Sequence, residues 1–153
     1  MSKLTTSLWF DGNAEEAATF YTSVFKDAKI TSVSRYGDAG PGPKGSVMVV
    51  AFELNGQSFI GINGGPQFKF SPAISLVVNC ETQDEIDHYW DRLLEGGAPQ
   101  QCGWLTDKFG LSWQVVPTII GEVMKDPEKG NRAMAAVMKM VKLDIAEILR
   151  AAA

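Results

Sequence analysis

The stretch CGWLTDKFGLSWQVVP, residues 102–117, is where side chains able to do chemistry are densest. Period-two alternation in LSWQVVP puts Ser112, Gln114 and Val116 on one strand face and Leu111, Trp113 and Val115 on the other. The second face belongs against a helix. Gln114 then points to the opposite side, where a partly buried amide needs partners from protein, water or ligand. Trp104 and Trp113 are expected to line or back the same strands, and apolar walls with few polar groups are the usual build of a small-molecule pocket. Trp9 occupies the corresponding end of the first strand. Asp11 and Asp107 each stand at a strand end beside aromatic residues. Both positions suit a proton carrier on a cleft rim, and both equally suit turn or cap duty.

The remaining reactive residues read as structural. His88, the single histidine, sits about 200° around its helix from Ile86 at ~100° per residue, on the solvent face. One histidine cannot build a multi-histidine zinc site, and from the solvent face of its helix His88 is not expected to serve a triad. Cys80 and Cys102 adjoin strands and are expected as reduced thiols, with the role of Cys102 open. Gly40, Gly42 and Gly45 satisfy G-x-G-x-x-G, yet the segment runs into a strand, and Pro41 and Pro43 remove donors that a phosphate cradle would use. Glu15, Glu16, Asp84, Glu85 and Asp87 fall in helix first turns and complement the dipole.

The elements that hold these residues come as a repeat. Asn13 and Glu16 form a capping-box-like start, and Ala17, Phe20, Tyr21, Val24 and Phe25 follow at helical spacing. Sixty-nine positions later Thr82 and Glu85 repeat the cap, and Ile86, Tyr89, Trp90, Leu93 and Leu94 repeat the stripe up to Gly96 and Gly97. The spacing predicts the same offset at every step. Each helix follows a strand, KLTTSLWF (3–10) or AISLVVN (73–79). Three strands come after each: KITSVSRY, SVMVVAFEL and QSFIGIN around an Asn55-Gly56 hairpin, then APQQ, CGWLT and LSWQVVP around the turn from Asp107 to Gly110. The expected organisation is one domain over 1–153 with βαβββ modules at 3–63 and 73–117. A single C-terminal helix is expected over 126–150, striped by Met134, Val137, Met138, Val141, Ile145, Ile148 and Leu149.

At 153 residues the chain is long enough for one well-buried core. With 45% hydrophobic and 21% charged residues it has a globular balance and no membrane-length apolar run. A net charge of -4 argues against nucleic acid as a partner. MSKLTTSLWF lacks the apolar core of a signal peptide, so a cytoplasmic setting is expected.

The long segments LWFDGNAEEAATFY, FIGINGGPQFKFSPAISLVVNCETQDEIDHYWDRLLEGG and CGWLTDKFGLSWQVVP resemble the PhnB-like family, whose members are often labelled 3-demethylubiquinone-9 3-methyltransferase. The C-terminal RAMAAVMKMVKLDIAEI is similar to that family's closing helix. The resemblance places the chain in the vicinal-oxygen-chelate superfamily, with glyoxalase I, extradiol dioxygenases and fosfomycin and bleomycin resistance proteins. It implies an α+β fold of paired βαβββ modules forming an eight-stranded cup, the glyoxalase/bleomycin resistance/dioxygenase fold, and it implies a homodimer.

Metal-using members place His, Glu or Gln ligands on the first and last strands of each module. The comparable positions here are Thr5 or Thr6, the neighbourhood of Ile60, Ala73, and Gln114. Only Gln114 is a ligand type, so no metal and no other cofactor is expected. The leading expectation is a cup that binds a small apolar or aromatic molecule through Trp9, Trp104, Ser112, Trp113 and Gln114. The alternatives are a glyoxalase- or dioxygenase-type enzyme, metal-free with Asp11 or Asp107 as proton carrier or else metal-dependent, and a protein-interaction role for the Met-rich C-terminal helix.

Overall fold

The computed structural model describes residues 2–153 and divides into two compact units, one ending at Lys69 and one running from Phe70 to Ala153. The first is built from β1 (Thr6–Phe10), α1 (Ala14–Val24), β2 (Ala28–Arg35), β3 (Val47–Leu54) and β4 (Gln57–Asn63), with strand order β1-β4-β3-β2. The second repeats it with β5 (Ser75–Cys80), α2 (Gln83–Leu94), β6 (Ala98–Pro99), β7 (Trp104–Thr106) and β8 (Ser112–Pro117), in the order β5-β8-β7-β6. In each unit the first and last strands pair in parallel and the others antiparallel. The fold is α+β, and the two expected βαβββ modules are present.

Each helix covers one face of its own sheet. In the first unit Leu8, Phe10, Val50, Phe52 and Phe59 are buried together with Ala17, Tyr21 and Val24 of α1. Phe52 stacks on Phe59 with ring centroids 5.3 Å apart. In the second, Val78, Cys80, Leu105, Trp113 and Val115 are buried with Ile86, Trp90 and Leu93 of α2. Strand alternation leaves the opposite faces free of these helices. The Asn55-Gly56 hairpin forms as expected, with both residues at positive φ, 49° and 84°, as a tight two-residue turn requires.

The repeat is not a uniform offset. The helices begin 69 positions apart, at Ala14 and Gln83, but the buried strand ends Phe10 and Cys80 are 70 apart. The first module's strand-to-helix turn is therefore one residue longer, and Gly12 at φ +87° accommodates the extra step.

The helix starts differ as well. Thr82 accepts a hydrogen bond from the Glu85 amide at 3.1 Å, as expected, and Glu85 reaches back to the Glu81 amide at 2.9 Å. Asn13 does not cap α1 with its side chain; at ψ 26° it lacks the extended backbone of an N-cap. The acceptor comes from β4 instead: Asn63 Oδ1 takes the Ala14 N–H at 2.9 Å.

A short α3 (Ile119–Val123) follows β8, and the single C-terminal helix expected over 126–150 is two, α4 (Pro127–Val137) and α5 (Ile145–Ala152). Tertiary hydrogen bonds win at the break, because the carbonyls of Met140 and Val141 accept from the amides of Cys102 and Gly103, each at 2.8 Å. Asp126 and Asp144 then cap the new helix starts, and accepting the Lys129 amide holds the Asp126 carboxyl below its ordinary value. Gln83 of α2 clamps the same break, donating to the Leu143 carbonyl at 3.1 Å and accepting from the Ile145 amide at 2.9 Å. Leu143, Ile148, Ala133 and Val137 form the buried centre of this helical cluster.

Lys142 donates to Asp87 at 2.7 Å and Gln83 adds a second bond at 3.2 Å, and together these hold the Asp87 carboxyl below its ordinary value. A lowered native value means stability that is present above the unfolded carboxylate range and lost as pH falls through the native one. Acidification below about pH 4 is therefore expected to reduce hydrogen-exchange protection in α5 before that of α2, and Asp87→Asn is expected to remove this pH dependence. Equal acid sensitivity of α5 in both proteins would contradict the assignment.

Candidate functional site

In the second module the strand registers place Trp104 beside Gln114, and Gln114 beside Val77, on the face away from α2. Thr106, Ser112 and Ser75 form the neighbouring row. Gln114 donates from Nε2 to the Ser75 hydroxyl at 3.0 Å, leaving its carbonyl oxygen as an acceptor on that face. Gln100 donates to the Thr106 hydroxyl at 2.7 Å and braces the far edge. Of the expected binding residues, Trp104 and Gln114 thus share one surface, on which Val77 is 49% exposed, while Ser112 has the same strand phase but is buried at 2% exposure. Val116, on the same face, packs on the C-terminal helical cluster and closes that end.

Trp113 does not line this face. It is 2% exposed on the α2 side, and its indole N–H donates to Asp107 Oδ2 at 2.8 Å. Asp107 is itself 3% exposed, and its other oxygen accepts from the amides of Phe109 at 2.8 Å and Leu111 at 3.0 Å. Those three donors occupy the carboxylate, so Asp107 fixes the β7–β8 turn and the Trp113 ring. Trp113 backs the site from behind.

Trp9 and Asp11 lie in the first module. The Trp9 ring packs on Gly64, where a Cβ would stand 2.3 Å from it, and its indole N–H donates to the Gly65 carbonyl at 2.9 Å. Phe68 meets it edge-on at 4.9 Å. Asp11 stands exposed on the rim of a cleft of about 480 Å³. Gly12 and Glu15 complete its wall, Tyr36, Ser46, Val47 and the 41–43 segment face it, and Asn63, Gly64 and Gly65 floor it.

Asn63 holds this cleft together. Besides capping α1, its Nδ2 donates to the Val47 carbonyl at 3.0 Å, and its own carbonyl accepts from the Tyr36 hydroxyl at 3.2 Å. The G-x-G-x-x-G pattern finds its explanation here. A Cβ on Gly40 would lie 2.5 Å from Tyr36 Cδ1, and one on Gly42 would lie 2.4 Å from Cε2, so these glycines let the chain pass against the ring. They cradle a tyrosine, not a phosphate. Sequence reasoning missed Asn63, Tyr36 and Gln83, because each acts through partners remote in the chain.

The positions comparable to metal ligands do not fit a metal. Thr6 alternates with Leu8 and Phe10, whereas Ser7 shares a face with Ile60; Ala73 precedes β5, and the neighbours of Gln114 there are Ser75 and Val77. Among the described residues, no three or more His, Cys, Asp or Glu side chains are grouped to hold an ion. A bound methyl donor fits no better, since the strand-to-helix turns read Asp11-Gly12-Asn13 and Glu81-Thr82 with no glycine-rich cradle. Burial, reinforced by Glu85, pushes the Cys80 thiol up to about 12, which makes it inert. Among the described residues no helix is long and apolar enough to cross a membrane.

The sequence profile described as 3-demethylubiquinone-9 3-methyltransferase matches residues 2–116. Among solved structures, the chain is similar to a putative 3-demethylubiquinone-9 3-methyltransferase, PhnB protein, from Bacillus cereus. They share 44% identity over 76% of this chain and 100% of that one, with a TM-score of 0.70. FosX, a fosfomycin resistance protein from Listeria monocytogenes solved with Mn(II) and 1S,2S-dihydroxypropylphosphonic acid, shares the fold at 16% identity. That match covers 75% of this chain and 91% of FosX, with a TM-score of 0.54. A glyoxylase/bleomycin resistance protein/dioxygenase domain from Frankia sp. does so at 18% identity over 76% and 92%, with a TM-score of 0.52. No curated protein matches.

Replacing Asp107 by Ala strips three donors of their acceptor and is expected to cost roughly 3 kcal/mol in urea unfolding. Asp107→Asn keeps one acceptor but turns an N–H toward the Trp113 indole, and is expected to cost about half as much. Stability unchanged in both variants would refute the structural role of this carboxylate.

Proposed function

The chain belongs to the 3-demethylubiquinone-9 3-methyltransferase, PhnB-like family, and from that premise we propose that it binds a small apolar or aromatic molecule without a metal ion. The observation that carries this reading is the joint placement of Trp104, Gln114 and Ser75 on the face of the second module away from α2. An indole surface beside one oriented amide oxygen suits a planar ligand bearing a hydroxyl or N–H. Trp9 adds aromatic surface in the first module, with its own polar atom already satisfied by Gly65.

The donor set argues against carrying over the Mn(II) chemistry of FosX, because one neutral amide among Ser, Ile and Val side chains cannot hold a divalent cation. An enzymatic alternative rests on Asp11, the candidate carboxylate that stands on an open cleft rim. A homodimer in the cytoplasm belongs to the same proposal; Ile74 at 71% and Val77 at 49% exposure are apolar surface that self-association would cover.

A thermal-shift and calorimetric screen of aromatic and quinonoid ligands, with and without Mn²⁺, Ni²⁺ or Zn²⁺, tests the reading. Organic ligands are expected to stabilise the protein regardless of metal. Gln114→Leu is expected to weaken the best ligand about tenfold, the worth of one oriented hydrogen bond. Near-stoichiometric stabilisation by metal alone, or undiminished affinity in Gln114→Leu, would overturn it.

A further inference from the structure

We infer that residues 37–45 form a movable lid along one side of the first module's cleft, held against it by Tyr36. This goes beyond the ligand reading, which rests on the second module. The lid segment, GDAGPGPKG, has glycines at 37, 40, 42 and 45 and prolines at 41 and 43, so side chains contribute little of its own packing. Its far end is fastened to the strands: Tyr36 N–H donates to the Ser46 carbonyl at 2.9 Å, Gly45 N–H to the Tyr36 carbonyl at 2.8 Å, and Arg35 to the Gly45 carbonyl at 3.1 Å. With the Pro43 carbonyl accepting from the Ser46 amide at 3.1 Å and the Ser46 hydroxyl at 2.6 Å, these bonds form a base about which residues 37–42 can swing.

The Tyr36 ring holds the middle of the segment. Gly40 and Gly42 press against diagonally opposite ring atoms, so the chain curls around the ring. The ring in turn is tied to the cleft floor by the hydroxyl bond to the Asn63 carbonyl. One side chain therefore joins the lid to the floor, with Pro41, Gly42 and Pro43 forming a wall of the cleft. The Lys44–Asp38 pair, 3.1 Å apart with both partners largely exposed, stiffens the segment without anchoring it. Removing a half-buried neutral hydrogen bond shifts an opening equilibrium by about fivefold, and loop openings of this size run on the microsecond scale.

The test needs no ligand. In a Cys102→Ser background, where Cys80 is buried and inert, Val47→Cys places a thiol on the cleft wall and Lys26→Cys an exposed control. Reaction with an aromatic disulfide reagent is followed in that background and with Tyr36→Phe or Gly42→Ala added. Tyr36→Phe is expected to raise the rate at position 47 about fivefold, and Gly42→Ala, which drives a methyl into the ring, to raise it further. The control rate should stay constant. Equal rates at position 47 in all backgrounds would overturn the lid, and so would a parallel rise at the control thiol, which reports unfolding of the module. Hydrogen exchange of the unsubstituted protein supplies an independent check. The amides of 37–44 should exchange well ahead of both the Gly45 amide, which the base holds, and β3, and protection equal to β3 would also reject the lid.

Discussion

A helix that begins where two parallel strands end must find acceptors for its first N–H groups, and each module meets that requirement with a different residue. In the second module the solution is local, since Thr82 caps its own helix. In the first it is tertiary: Asn63, at the end of the paired strand, reaches across to the Ala14 amide. At the matching place in the second module stands Pro117, paired with Cys80 as Asn63 is paired with Phe10, and it has no side chain that could do this. A buried helix start without an acceptor would cost roughly 1–3 kcal/mol, so some residue had to take the task.

From that choice the first module's cleft follows. Capping from β4 leaves the preceding turn free to carry one more residue, and Gly12 in the left-handed region provides it. The longer turn projects Asp11 outward as one wall. The remaining atoms of Asn63 tie the opposing wall, through Val47 and Tyr36, to the same point. The second module instead concentrates its polar order in Asp107, whose carboxylate fixes a turn and an indole on the helix side, leaving the other face to Trp104 and Gln114. One topology thus carries two unlike polar centres.

Much of this was legible in the residues. The βαβββ repeat, the Asn55-Gly56 hairpin, the Thr82 cap and the face of Gln114 follow from periodicity and turn chemistry, which are local. What was not legible depends on strand register and on contacts across the chain. Asn13 fits the composition of a cap, but Asn63 does the capping. Residues 126–150 carry a helical stripe throughout, yet hydrogen bonds from Cys102 and Gly103 interrupt it. The G-x-G-x-x-G pattern is read correctly only once the Tyr36 ring is seen between its glycines. Asp107 could not be assigned from its position alone, because alternation places the Trp113 indole on the helix face but not the turn geometry that brings the carboxylate to it.

The dependence of the first module on a single amide is open to direct measurement by amide hydrogen exchange in Asn63→Ala. Protection at Ala14 is expected to fall about tenfold, the equivalent of one lost buried hydrogen bond, with resonance shifts extending to Val47 and Tyr36 and no change at Glu85. Full protection of Ala14 in that variant, with α1 intact, would contradict the account.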